Sequence, residues 1–226
     1  MILTAEGGEV EVACIDLAVS EAQYEGFWPL LSDAERVRSK NFVNAAHGRA
    51  FAVTRGTLRR LLAERLQVDP AELDIEETAN GKPMLGEPWA ALGLHFNLSH
   101  SGDLAVFAFA RRSEIGIDIE VLRDLPDAVA LAKRFFSPAE TAALSALGAE
   151  DRQRAFFACW TRKEAFVKAL GLGLTFPFRE FSVTTNPEGD ATLTALPASA
   201  GKLSDWTMIG FQPRPNYLGA VVFRSS

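Results

Sequence analysis

IGIDIE, Ile115–Glu120, and FFACWTRKEAFVKALGLGL, Phe156–Leu174, are the stretches around which the rest of the chain is organised. The first alternates β-branched with small or acidic residues and reads as a strand. Asp118 and Glu120 are two apart, so on a strand their side chains leave from one face. The second reads as a helix over about 151–170 that stops at Gly171. Glu164 and Lys168, four apart, share one of its faces. Two carboxylates from a strand and a third from a helix are costly to gather unless a cation sits among them. Oxygen donors without a histidine or cysteine cluster favour magnesium over zinc, and the neighbouring lysines suggest a phosphate-bearing substrate. Each piece also has a plainer reading. Asp118 and Glu120 suit the polar face of an edge strand, and Lys168 suits a solvent ion pair with Glu164.

Working outward, GEVEVACIDL at 8–17 alternates as a half-buried strand, and SEAQYEGFWPLL follows as a short helix. Ser32, with Asp33 and Glu35 behind it, has the chemistry of a helix start. Phe42 to Leu66 reads as a longer helix whose continuity Gly56 weakens, and Asp69-Pro70 ends it. A short strand is expected at Leu73–Glu76, then the turn NGKPML at 80–85. LHFNLSHSG at 94–102 alternates as a strand before a polar Ser-His-Ser-Gly corner, and LAVFAFA at 104–110 reads as a central strand. LPDAVALAKRFF is a helix, after which Ser137-Pro138 with Glu140 starts another with capping-box spacing. FSVTT, DATLTAL, WTMIGFQ and GAVVF supply the later strands. The order strand–helices–strands occurs twice, so two α+β halves are expected to meet near 111–114.

At 226 residues, with 48% hydrophobic and 23% charged residues, the composition is that of an ordinary globular protein. It has no apolar run long enough to cross a bilayer and no signal-peptide pattern at its start, so a cytoplasmic location is expected, away from membranes. A net charge of -6 argues against a non-specific nucleic-acid binder. Cys14 and Cys159 lie in apolar runs and read as reduced and buried. Eight bases between Arg36 and Arg65, against Glu64 alone, form either the solvated faces of two helices or a site for an anionic ligand or acidic partner. Lys163 reads as exposed or partner-facing. Of three histidines, His100, between two serines, is the one placed in a site, as a hydrogen-bond donor to phosphate. Ser99-His100 lacks the G-x-S-x-G elbow of a serine hydrolase. A magnesium-dependent nucleotide phosphohydrolase and a non-catalytic binding module remain as alternatives.

GKP at 81–83, FNLSHSG at 96–102, IGIDIE at 115–120, KRFFSPAE at 133–140, WTRKEAFVKALGLGL at 160–174 and FSV at 181–183 together resemble the 4'-phosphopantetheinyl transferase superfamily, in its larger, surfactin-synthetase-activator type. The resemblance implies an α+β fold built as a pseudo-twofold pair of similar halves, each a small antiparallel sheet packed with helices. It divides the chain into 1–112 and 113–226, the second half carrying the metal ligands. It implies a monomeric enzyme of the holo-[acyl-carrier-protein] synthase kind, dependent on Mg2+ with Mn2+ as a substitute. Such an enzyme moves the phosphopantetheine arm of coenzyme A onto a serine of an apo acyl or peptidyl carrier protein and releases adenosine 3',5'-bisphosphate. By the same resemblance Asp118, Glu120 and Glu164 are metal ligands, and Glu164 is also the base for the carrier serine. Lys168 contacts the pyrophosphate, and Lys82, Ser99 and His100 hold the coenzyme around its 3'-phosphate. The family's early basic residue falls at Arg49, within one residue of register against Ala50. An acidic carrier helix would be met by the basic N-terminal half and the loop around 120–130. The chain departs from the pattern at Asn80, where many members have an aromatic residue, and at Leu172, where a lysine is common.

Overall fold

LAVFAFA has no polar face because both of its faces are covered. In the computed structural model, which describes residues 1–5, 8–173 and 176–225, the chain order begins β1 (Ile2–Ala5), β2 (Gly8–Asp16), α1 (Glu21–Phe27), α2 (Asp33–Lys40) and α3 (Ala45–Leu66). It continues with β3 (Ile75–Glu77), β4 (Pro83–Leu85), β5 (Leu94–Ser101) and β6 (Leu104–Arg111). Then come β7 (Ile115–Val121), α4 (Ala128–Phe135), α5 (Pro138–Ser145) and α6 (Ala149–Leu170). β8 (Ser182–Val183), β9 (Leu193–Ala195), β10 (Trp206–Phe211) and β11 (Tyr217–Arg224) complete it. The antiparallel sheets run β1-β2-β6-β5 and β10-β11-β7, with β3-β4 and β8-β9 as short pairs.

These elements repeat. β2 and β7 each lead through helices to a 22-residue helix, α3 or α6, then to a short strand pair and two further strands. In each half the first strand pairs with the last, β2 with β6 and β7 with β11, and the penultimate strand, β5 or β10, flanks it. β1 is the one addition. The α+β class and the pairing of similar halves are therefore present in the topology itself.

The layers follow from period-two burial. Leu104, Val106 and Ala108 of β6 meet Ile115, Ile117 and Ile119 of β7 and Val221 and Phe223 of β11 in a core shared by the two halves. Ala105, Phe107 and Phe109 point the other way, onto Leu58 and Leu62 of α3. In the second half Leu218, Ala220 and Val222 turn toward Phe166 and Val167 of α6. On β7 the face opposite Ile115, Ile117 and Ile119 carries Gly116, Asp118 and Glu120. A Cβ on Gly116 would lie 2.1 Å from the Ala165 carbonyl oxygen and 2.3 Å from the Ala169 nitrogen. The absence of a side chain there is what lets α6 lie with its backbone directly on β7.

The capping box expected at Ser137 forms as read with Glu140, and the helix start expected at Ser32 is also a capping box, with Glu35. Elsewhere the structure corrects the sequence. The long first helix begins at Ala45, capped by Asn44. Gly56 does not interrupt it; a Cβ there would sit 2.8 Å from Phe27 Cβ, so the glycine seats α1. The strand expected at Leu73–Glu76 is Ile75–Glu77. The Ser-His-Ser segment is part of β5 rather than a corner, and the turn comes at Gly102, with φ +55°. The expected motif end, Leu174, lies outside the described residues. Cys14 and Cys159 are free thiols that burial pushes upward in pKa, and Cys14 is only half-buried. No helix of the described residues is long and apolar enough to cross a membrane.

Two charge readings also change. Lys163 is not exposed: its side chain is fully buried, and its ammonium donates to both Glu140 oxygens at 2.9 Å and to Phe181 O at 2.7 Å. Glu140 in turn accepts from the Ser137 and Val183 amides at 2.7 Å, so one ion pair locks α5, α6 and β8 together. The basic run is mostly neutralised within the fold. Arg55 and Arg59 are buried against Glu35, Arg55 and Arg38 share Glu77, and Arg36, Arg49 and Arg65 pair with Asp33, Glu21 and Glu11. Lys40 and Arg60 lie over the Trp28 and Phe27 rings.

Removing one member of a buried ion pair strands the other. Lys163→Met is expected to lower the free energy of unfolding by about 3–5 kcal/mol, read by urea denaturation. Gly116→Ala must push α6 off β7, and a loss of about 3 kcal/mol is expected in the same measurement. A Gly116→Ala protein as stable as the parent would show that α6 does not rest on that glycine.

Candidate active site

Alternation along β7 and the close seat of α6 decide what gathers here. Asp118 and Glu120 face the helix, and Glu164 and Lys168 face them from consecutive turns. Lys168 pairs not with Glu164 on its own helix but across the gap, its ammonium 2.6 Å from Asp118 Oδ1. The same ammonium donates to Ser99 Oγ at 3.0 Å and to Ile117 O at 3.2 Å. Ser99 is buried, and its hydroxyl donates to Asp118 Oδ1 at 2.7 Å. Residues from both halves thus meet on one carboxylate oxygen. Asp118 Oδ2 is buried with no hydrogen-bond partner among the described residues.

The carboxylates act on one another. Desolvation pushes the Asp118 carboxyl upward, opposed by Lys168 and Ser99. Burial first, and the Asp118 charge second, raise Glu164 to about 7. Glu164 makes no hydrogen bond or ion pair among the described residues. Glu120 accepts on Oε2 from Ser101 Oγ at 2.8 Å and from Arg123 Nη1 at 3.0 Å.

Lys82 reaches in from the GKP turn. Its ammonium donates to Lys168 O at 2.7 Å and Ile115 O at 3.0 Å, one of the carbonyls at the end of α6 and one at the start of β7. Burial lowers it to about 8. Asn80, where an aromatic residue is common, donates to Gly171 O at 3.0 Å and completes the capping of α6 from the other half. His100 is exposed at the edge of the group; its partial enclosure and then the Lys168 charge hold the imidazole below its ordinary value. Arg49 has different partners: Glu21 at 2.7 Å, the Val19 and Ser20 carbonyls at 3.2 Å, and the Tyr24 ring under its guanidinium at 4.1 Å. Asp118, Glu120, Glu164, Lys168, Ser99, His100 and Lys82 are thus brought together, and Arg49 serves α1.

Two further residues join this group that sequence reading passed over, Asn97 and Ser101. Asn97 accepts the Ile117 amide at 2.9 Å, and Ser101 Oγ accepts the Val121 amide at 3.1 Å. The signal was present in FNLSHS, where the polar residues at alternate positions are too regular for a one-sided solvent face. A cavity of about 840 Å³ lined by residues of β10 and of the segment 187–193 includes none of the predicted site residues.

The donor set fits a hard divalent cation. It is all oxygen, one carboxylate oxygen is buried and unpartnered among the described residues, and a second carboxyl is raised by burial and by its neighbour. Among the described residues no three His, Cys, Asp or Glu side chains stand close enough together to hold a metal ion, and the Lys168 ammonium supplies the positive charge on Asp118.

A carboxyl raised from 4.5 to about 7 is protonated in the folded chain and ionised in the unfolded one between those values. Its contribution to stability therefore falls as pH rises through that window. In chelator, the melting temperature of Glu164→Gln relative to the parent is expected to climb from pH 5 to pH 8. A flat difference would show that burial and the Asp118 charge do not raise the Glu164 carboxyl.

Comparison with known proteins agrees with this geometry. The family model described as the 4'-phosphopantetheinyl transferase superfamily matches residues 114–222, and that described as 4'-phosphopantetheinyl transferase, N-terminal, matches 18–112. The 4'-phosphopantetheinyl transferase HetI of Nostoc sp. is 38% identical over 219 residues, covering 97% of this chain and 89% of the relative. The 4'-phosphopantetheinyl transferase Sfp of Bacillus subtilis is 30% identical over 179 residues, covering 79% and 77%. The chain belongs to the 4'-phosphopantetheinyl transferase superfamily, in its larger, surfactin-synthetase-activator type.

Proposed function

We propose that this chain transfers the phosphopantetheine arm of coenzyme A to a serine of an apo acyl or peptidyl carrier protein, releasing adenosine 3',5'-bisphosphate. The observation that carries it is the meeting of Asp118 and Glu120 from β7, Glu164 and Lys168 from α6, and Ser99 from the other half, at the seam between the halves. The reaction is of the holo-[acyl-carrier-protein] synthase kind, by a monomer whose halves divide at 112 and 113.

Asp118, Glu120 and Glu164 would hold Mg2+, or Mn2+ in its place. When bound, the ion supplies charge neutralisation to the pyrophosphate and orients its oxygens. Glu164, which makes no hydrogen bond or ion pair among the described residues, accepts the proton of the carrier serine. The serine oxygen forms its bond to the β-phosphorus, and the bond from that phosphorus to the bridging oxygen breaks. The electron pair leaves with the bisphosphate. Lys168, on a flexible stem beside Asp118, neutralises the phosphates as a point charge. His100, Lys82 and Ser99 line the side of the seam where the 3'-phosphate end of the coenzyme lies. Arg49 acts at that end only by exchanging Glu21 for the phosphate. The carrier's acidic helix would be met by the basic first half and by the loop around 120–130, where Arg123 is exposed but pairs with Glu120, as most of the 36–65 bases pair within the fold.

Incubation with coenzyme A, Mg2+ and several apo carrier proteins is expected to add the mass of one arm to a carrier, read by mass spectrometry. Asp118→Ala and Glu164→Ala are expected to abolish the gain while keeping the parent's circular dichroism. No gain on any carrier would overturn the transferase reading, and release of free phosphate from coenzyme A instead would mark a hydrolase.

A further inference from the structure

β5 and β7 are edge strands of different sheets, lying side by side without pairing in one ladder. Edge amides away from water must still be satisfied. Here side chains satisfy two of those on β7. Asn97 Oδ1 accepts from Ile117 N, and Ser101 Oγ accepts from Val121 N, both at an offset of 20 residues. The constant offset means that the strands run parallel in a single register. Ser99, between the two, reaches Asp118 at 2.7 Å, and Ser101 also donates to Glu120 at 2.8 Å. Asn97 and Ser99 are buried and Ser101 half-buried. A slip of one residue would replace these three by Phe96, Leu98 and His100, and neither Phe96 nor Leu98 can take an amide or serve a carboxylate.

The comb has a consequence for the carboxylates. On Asp118, Oδ1 is held by Ser99 and Lys168 and Oδ2 has no partner among the described residues. On Glu120, Oε2 is held by Ser101 and Arg123, and Oε1 has no hydrogen bond among the described residues. Each carboxylate is therefore pinned through one oxygen and leaves the other for a ligand. Groups that hydrogen-bond a ligating carboxylate fix its direction and sustain metal affinity.

We propose that Asn97 and Ser101 are positioning residues: from the first half they set the register of β7, which places Asp118 on Ser99, and Ser101 also pins Glu120, for a divalent cation. The inference rests on the reading of Asp118 and Glu120 as metal ligands. The site is thereby made by the contact between the halves rather than by the second half alone.

The test uses Mn2+ titrated into the full-length protein, followed by the paramagnetic resonance of free Mn2+, together with amide hydrogen exchange in chelator. Ser101→Ala is expected to speed exchange at Val121 and to weaken Mn2+ binding about tenfold, at a temperature where it is fully folded. Ser101→Thr, which keeps the hydroxyl, restores both. Asn97→Ala speeds exchange at Ile117. Asp118→Ala is the control for the metal reading. If Asp118→Ala loses Mn2+ while Ser101→Ala binds within twofold of the parent, the positioning role is overturned and the metal site stands. If Asp118→Ala binds as the parent does, both fall. Threonine failing to rescue would reduce Ser101 to packing and overturn the role as well.

Discussion

The contact on which the site depends is a glycine against a helix backbone. At Gly116 the carbonyl of Ala165 and the amide of Ala169 come nearer to β7 than any side chain would allow. Everything that matters chemically lies within a turn of that contact. Asp118 and Glu120 follow on the same face of β7, and Glu164 and Lys168 flank Ala165 and Ala169 on α6. A helix standing one methyl group further out would leave the carboxylates too separated to shift one another or to share an ion. The approach is secured from the far side by the Phe166, Phe181 and Trp206 cluster, whose rings pack at 5.0–5.2 Å from Phe166.

Buried charge is used twice, in different ways. Lys163 and Glu140 are an internal brace: both carboxylate oxygens and all the strong donors around them are engaged, so the pair holds α6 in rotation without offering anything to a ligand. Asp118, one helix face away, is incompletely served. An orphaned oxygen beside a raised carboxyl is costly in a resting protein, and that cost is what a functional site retains and a structural ion pair removes. Lys163 and Glu164 are neighbours in sequence, yet a 100° turn of helix sends one into the core and the other into the seam.

Several parts of this were legible in the residues. Period two in IGIDIE placed Asp118 and Glu120 together, period 3.6 placed Glu164 with Lys168, and the capping boxes at Ser32 and Ser137 marked helix starts where they occur. The fate of the basic run was not legible, because Glu11, Glu35 and Glu77, which neutralise it, come from other elements. Lys163 was misread for the same reason, its partner being 23 residues away on another helix. The polar residues of FNLSHS looked like a corner although their alternation is that of a strand, because the strand they satisfy, β7, lies 20 residues further on.

The kinds of elements, the two-fold repetition of their order and which carboxylates share a face can be read from the residues alone, since these follow from periodicities of a few residues. The pairing of Lys168 with Asp118 rather than Glu164, and the capping of α6 by Lys82 and Asn80 from the other half, are properties of the folded chain. So is the stitching of β5 to β7 by Asn97, Ser99 and Ser101. Each of these joins residues 19 to 91 positions apart. Whether such groups meet is set by how two sheets and two helices stack, which no local spacing encodes.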